Sequence, residues 1–407
     1  MPDPAKLELL TRTPGETGFQ IVEIESSHVY RAFKPQRLPP TEWQVTAQPV
    51  GADGERNYVL KNLHGNHYLL LDSKEHFLWE YFDGRHSLDE IARVFHFTVG
   101  AFDYSLIRQL LTKLYDNGFI ETYRTTDLQR SPASATDQRW TKQLEQRLRT
   151  WRAISFKILS ADGFCSMIYN RGGFLLVHPL TFLMSIAIAV FALLLVVLLA
   201  PNARDFTRFL TARPFLTTSV MLVTLLVVSM LHVLVHALAC KAYGRKVGEM
   251  GLFLLQGVWP TFYADVTDIF MSSRRARVTV DLAGPMVEVV LGSVAIIGAH
   301  ASPPGFEQAL LFGIGIMLWE SAVINLYPFS FLEMDGYNIV ADLLAMPMLR
   351  QQAMALIPNL PGRLRNLKRI ERAEWIQLTY LTFCLVSVLV YLLAHLDAIR
   401  TLLPFSQ

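Results

Sequence analysis

Residues 215–241 read FLTTSVMLVTLLVVSMLHVLVHALACK. The run carries no charge before Lys241 and exceeds the roughly 20 apolar residues that a helix needs to cross a hydrocarbon core. Phe215–Ala239 is therefore expected to span a membrane. Its end, Leu231-His232-Val233-Leu234-Val235-His236, places two histidines at i and i+4. Both imidazoles then lie on one helix face and can reach one ion. An isolated HxxxH is common by chance, and a histidine near a helix end usually serves packing. An ionisable pair on a membrane helix points instead to function.

Outward from this run, further apolar segments fall at Leu180–Leu199, Val278–Ala299 and Trp375–Leu396, with a shorter one at Ala309–Tyr327 that contains Glu320. Gly251–Phe262 is apolar but too short to cross, and is expected as a re-entrant or interfacial piece. The fold class read here is an α-helical polytopic membrane domain of about five spans plus a re-entrant segment, preceded by a small α+β winged-helix domain. Composition agrees: 52% of the 407 residues are hydrophobic and 18% charged, unusual for a protein surrounded by water. The net charge of +2 gives no ground for a nucleic-acid partner, and three scattered cysteines give none for a disulfide framework or thiolate zinc site. MPDPAKLELLTRTPGE, at the start of the chain, lacks the apolar core of a signal peptide, so insertion is expected to rely on internal spans.

Loop charges set the orientation. Lys241, Arg245, Lys246, Arg274, Arg275 and Arg277 lie between the second and third spans, and a second basic segment, from Arg350 to Arg372, precedes the last span. Both are expected in the cytoplasm, opposed only by Arg204, Arg208 and Arg213 in the first loop. The protein is then an integral protein of a bacterial inner (plasma) membrane, with its N-terminal domain cytoplasmic and its C-terminus outside.

That domain, residues 1–124, is expected to pair strands Arg56–Asn62 and Tyr68–Leu71 through a turn at His64-Gly65-Asn66. A helix through Glu75–Phe82 follows. Ser87 and Glu90 form a capping box for a helix over Leu88–Val94, and Leu106, Leu110, Leu111 and Leu114 stripe a third helix closed by Gly118. Phe119–Thr122 is the expected wing. Residues 125–173 comprise a polar linker (Thr125–Gln138) and the basic amphipathic stretch Arg139–Ile154, suited to an anionic bilayer surface. The membrane domain is 174–407.

The histidines have an acidic counterpart. Asn325-Leu326-Tyr327-Pro328 ends the fourth span and leads to Met334-Asp335-Gly336. Entering from outside near Phe215, the second span reaches His232 after about 17 residues, roughly 25 Å at 1.5 Å per residue. The fourth span exits on the same side just before Asp335. Two imidazoles and a carboxylate, with a fourth position for water, compose a catalytic zinc site.

Four stretches now carry a resemblance: HALACKAYGRKVGEMG (236–251), PTFYADVTD (260–268), RRARVTVDLAGP (274–285) and NLYPFSFLEMDGYNIVADLL (325–344). In order and spacing, across about residues 170–400, the chain resembles the site-2-protease-like peptide zinc metalloproteases, whose pattern is HExxH followed by N-P and LDG. The resemblance implies zinc held by His232, His236 and Asp335, with Asn325, Pro328 and Gly336 as motif context. It also implies a peptide or protein substrate beside the lipid bilayer. The N-terminal domain resembles the PqqD-like peptide-binding winged helices often joined to such membrane domains.

One departure governs the function. The family places its general base, Glu, directly after the first histidine, and this chain has Val233 there. Valine accepts no proton, and general-base catalysis is typically worth about 10²–10⁴-fold. Met334 for Leu is a tolerable swap of shape. The reading is a zinc metallopeptidase-like protein that binds or acts on a peptide near the cytoplasmic face, weak or inactive as a protease. An alternative is an active intramembrane protease with a displaced carboxylate. Asp281, Glu288 and Glu320 lie in spans and Glu333 adjoins Asp335; Glu320 is the favoured substitute, while the acids in spans also suit helix packing. A membrane-tethered DNA-binding regulator is the other alternative. The third helix, Phe102–Asp116, sets Arg108 and Lys113 against Asp103 and Asp116 and so offers no phosphate-binding face; no nucleic acid is expected. A diiron oxidase needs histidine clusters that are absent.

Overall fold

A computed structural model of the protein describes residues 7–11, 20–24, 34–65, 67–100, 104–120, 156–157, 161–255, 259–329, 334–359 and 371–394. The linker and the basic stretch expected over 125–154 lie outside these residues. The chain divides into two compact units, residues 1–48 with 55–148, and residues 49–54 with 149–407.

In the N-terminal unit, β1 (Leu7–Thr11) pairs antiparallel with β2 (Gln20–Ile24). A separate sheet orders β3 (Trp43–Val50), β4 (Arg56–Asn62) and β5 (Tyr68–Leu71), with Tyr58 opposite Leu71 and Lys61 opposite Tyr68. Alternation on β5 sends Leu69 and Leu71 inward, where they meet α1 (Ser73–Glu80), α2 (Leu88–Thr98) and α3 (Tyr104–Asp116). Leu60, Leu78, Trp79, Phe82, Ile91, Leu110 and Phe119 are buried in one core. Both α1 and α2 begin with capping boxes. Asp72 Oδ1 accepts from the Glu75 N–H at 2.7 Å, and the Ser87 N–H donates to Glu90 Oε2 at 2.8 Å. Gly118 follows α3 at φ +68°, a left-handed conformation that costs glycine little. Of the expected wing, Phe119 and Ile120 are described, Ile120 bridging Arg37; Glu121 and Thr122 are outside the described residues.

Among the described residues of the second unit, five helical segments are long and apolar enough to cross a membrane: Pro179–Thr211, Pro214–Ala242, Arg274–Ala301, Phe306–Leu326 and Arg372–Val390. They fall on the five expected spans; the first runs on to Thr211, and the fourth and fifth each begin three residues early. Only 22% of the first span's most apolar window is buried inside the protein. Leu183, Leu194, Val197 and Leu198 stand 60% or more exposed, a continuous apolar face that water would penalise and lipid accommodates. The protein is an integral membrane protein.

The second unit orders β6 (Phe156–Lys157), α4 (Ala161–Asn170), α5 (Pro179–Leu199), α6 (Ala203–Thr211), α7 (Pro214–Ala242), β7 (Met250–Leu255), β8 (Trp259–Ala264), α8 (Arg274–Ala301), α9 (Phe306–Leu326), α10 (Asp335–Leu344), α11 (Leu349–Leu356) and α12 (Arg372–Ala394). The backbones of α8 and α9 approach closely, since a Cβ on Gly292 would lie 2.9 Å from the Gly315 carbonyl. Small residues at a helix interface permit this in lipid. Trp319 Nε1 then donates to the Val289 carbonyl at 3.1 Å. The Gly251–Phe262 stretch, expected as a re-entrant or interfacial piece, forms the hairpin β7–β8, with Gly251 opposite Tyr263; β6 pairs on the far side of β7. Among the described residues β8 is an edge strand.

Candidate metal centre

His232 and His236 lie one turn apart near the end of α7, where the helix becomes buried. Their Nε2 atoms are 2.9 Å from each other. Asp335 opens α10 and brings Oδ2 to 3.2 Å from His232 Nε2 and 3.6 Å from His236 Nε2. The three residues expected as ligands are thus brought together. A tetrahedral ion with bonds of about 2.0–2.1 Å holds its ligand atoms about 3.3 Å apart, which the three separations bracket.

Each ring is held from behind. His232 Nδ1 lies 2.8 Å from Glu288 Oε1, and His236 Nδ1 lies 2.6 Å from the Val280 carbonyl. Donation from Nδ1 to these acceptors leaves both Nε2 lone pairs facing the shared centre, the usual outer support of a metal-bound histidine. Glu288 is buried at 4% exposure and also accepts from Asn325 Nδ2 at 3.1 and 3.2 Å. Asn325 therefore acts through Glu288 on His232.

The surroundings leave room for an ion. A Cβ on Gly284 of α8 would lie 2.3 Å from His236 Nε2 and 2.5 Å from His232 Nε2, so only glycine keeps that space open. A Cβ on Gly336 would lie 2.1 Å from the Leu326 carbonyl, so glycine beside Asp335 lets the start of α10 abut the end of α9. Pro328 follows that helix end, where proline stops helical continuation. Arg277 anchors the far end of α10: its Nε donates to Asp342 Oδ1 at 2.7 Å and a terminal nitrogen to the Ser272 carbonyl at 3.2 Å. The donor set, its spacing and this space fit a divalent ion of zinc's size.

His232, His236 and Asp335 open into a cavity of about 810 Å³ that Val233, Asp281 and Glu320 also line. Val233 thus faces the cavity from the place where the resemblance expects a carboxylate. Thr261, Phe262, Tyr263 and Ala264 of β8 form part of the wall. Glu333 lies outside the described residues. Sequence reasoning had Glu288 only among the acids of the spans and did not reach Gly284, the Val280 carbonyl or the Arg277–Asp342 pair. An acid inside a span was the available signal for Glu288; the others depend on which helix faces meet.

Comparison with known proteins places the site in context. The chain is 28% identical over 118 residues to YydH of Bacillus subtilis (strain 168), a protein provisionally named as a peptide zinc metalloprotease. The match takes in 28% of this chain and 44% of that protein, less than half of its length. No protein-family profile matches the chain, and no solved structure matches it.

Proposed function

We propose that the protein is a membrane-embedded, zinc-dependent peptidase-like protein that binds a peptide across the cavity and hydrolyses it slowly. One observation carries this reading: two imidazole nitrogens and a carboxylate oxygen, 2.9 to 3.6 Å apart, face a cavity large enough for a peptide segment. The partial similarity to a protein named for peptide and zinc supports it. His232, His236 and Asp335 would hold the ion, which when bound polarises a carbonyl and acidifies a water. Among the described residues β8 is the outer strand of its sheet along one wall, so an extended peptide can add to the sheet there. Val233 leaves the family's proton acceptor absent, which makes hydrolysis slow.

The N-terminal unit is the peptide-binding module in this proposal, a PqqD-like winged helix on the cytoplasmic side of an inner membrane. Its third helix suits DNA poorly, because Lys113 Nζ is engaged by the Leu70 carbonyl at 2.7 Å and by both Glu75 carboxylate oxygens at 2.9 Å. Metal analysis of the purified full chain tests the core of the reading, paired with hydrolysis of a quenched fluorescent peptide library. About one zinc per chain and weak, chelator-sensitive hydrolysis are expected. Protein that takes up no zinc contradicts the proposal.

A further inference from the structure

The face of α8 that turns to the metal centre carries one carboxylate with no assigned task. Val280 supplies the carbonyl beside His236, Gly284 the space beside both Nε2 atoms, and Glu288 the carboxylate beside His232. Asp281 lies on this face, three residues before Gly284 and seven before Glu288, spacings that keep side chains on one side of a helix. It lines the same cavity as the three ligands. It stands outside the group of three whose ligand atoms all lie within 4.8 Å of one another, so it is not one of the candidate ligands.

Among the described residues Asp281 makes no hydrogen bond or ion pair, unlike Glu288, which is fully engaged. The nearest cation along α8, Arg277, donates its hydrogen bond to Asp342 and acts on Asp281 only through space. A half-buried carboxylate that opens to the cavity and holds no hydrogen-bonding group among the described residues is free to take up a proton there. Glu320, another acid of the cavity wall, sits exposed on α9, whereas Asp281 shares a helix face with the residues that touch both imidazoles.

We infer that Asp281 is the catalytic residue that handles the proton which position 233 cannot take. The inference rests on the proposed metal-dependent peptidase reading. A water at the centre gives a proton to an Asp281 carboxylate oxygen as its own oxygen bonds to the peptide carbonyl carbon. The C–N bond then breaks as that proton passes to the leaving nitrogen, the second water proton staying on the product, so that a carboxylic acid and an amine form with no further reactant. Displacement of the base from α7 to α8 accounts for slow rather than absent hydrolysis.

The test uses the full chain in detergent, loaded with cobalt(II), and acetohydroxamic acid as probe. This ligand binds a metal as its anion and gives its proton to a neighbouring base, so its affinity reports that base without any peptide. Asp281→Asn is expected to keep cobalt affinity and to weaken acetohydroxamate by roughly tenfold or more, and hydrolysis of the peptide library should fall at least as much. Adding Val233→Glu to Asp281→Asn should restore both, which a merely structural role of Asp281 would not permit. Unchanged acetohydroxamate affinity in Asp281→Asn overturns the inference, as does a loss carried by Glu320→Gln instead. Loss of cobalt affinity in Asp281→Asn overturns it by making Asp281 part of the metal cage. Wild-type protein that takes up no cobalt overturns the metal reading itself and this role with it.

Discussion

Glu288 holds His232 by its Nδ1 atom, 2.8 Å away, from the middle of the neighbouring membrane helix. This contact fixes which ring nitrogen faces the centre. Glu288→Gln keeps the shape but removes the charge. It is expected to weaken zinc affinity by about 10–100-fold, the usual cost of losing such a partner. Competition with a chelator of known affinity measures this, and unchanged affinity would remove Glu288 from the site.

Gly284→Ala separates helix stability from metal binding. Alanine is the better helix former by roughly 1 kcal/mol, so α8 itself is not weakened. Its Cβ, however, would meet both Nε2 atoms at 2.3 and 2.5 Å. Zinc binding should be lost while the far-ultraviolet helical signal is kept. Full zinc uptake by this variant would show that the space beside Gly284 is not where the ion sits.

Arg277 and Asp342 tie α8 to α10, the helix that begins with Asp335. Arg277→Gln leaves a largely buried carboxylate unpaired, a change typically worth about 3–5 kcal/mol. A lower thermal midpoint and weaker zinc binding are expected together. Arg277→Gln with Asp342→Asn, which removes both charges, should recover much of the stability; a double variant no better than the single one would contradict the pairing argument.

The full chain is expected to bind duplex DNA no more tightly than a neutral protein of its size. Lys113, one of the two basic residues of the third helix, is occupied within the domain. A fluorescence-anisotropy titration at two salt concentrations decides the point. Tight binding that weakens steeply with salt would favour the regulator reading instead.

Some of this architecture was legible because its signals are local. Charge-free runs such as Leu180–Leu199 leave few alternatives to a span, and i, i+4 spacing alone aligns His232 with His236. Asp335 was reachable through the parity of crossings, which returns the second and fourth spans to one side. The hairpin β7–β8 was not legible, since a short apolar run has no period that separates strand from other buried structure. The capping box of Asp72 and Glu75 follows the same pattern as Ser87 and Glu90 and was missed only because an acid replaces the hydroxyl. Glu288, Gly284 and the Arg277–Asp342 pair depend on which faces of α8 meet α7 and α10, a tertiary fact that no window of sequence contains.

Val233→Glu restores the carboxylate where the resembled family carries it. Hydrolysis of the peptide library should rise, within the roughly 10²–10⁴-fold span of general-base catalysis, with zinc content unchanged. Fast hydrolysis by the unmodified chain, not increased by Val233→Glu, would contradict the view that position 233 limits the reaction.

The most direct measurement of the central claim is the zinc content of the purified full chain beside two ligand variants. About one zinc per wild-type chain is expected, with most of it lost in His236→Ala and in Asp335→Ala, because an incomplete ligand set binds weakly. Zinc-free wild-type protein that takes up no added metal, or variants that retain the wild-type stoichiometry, would contradict the account.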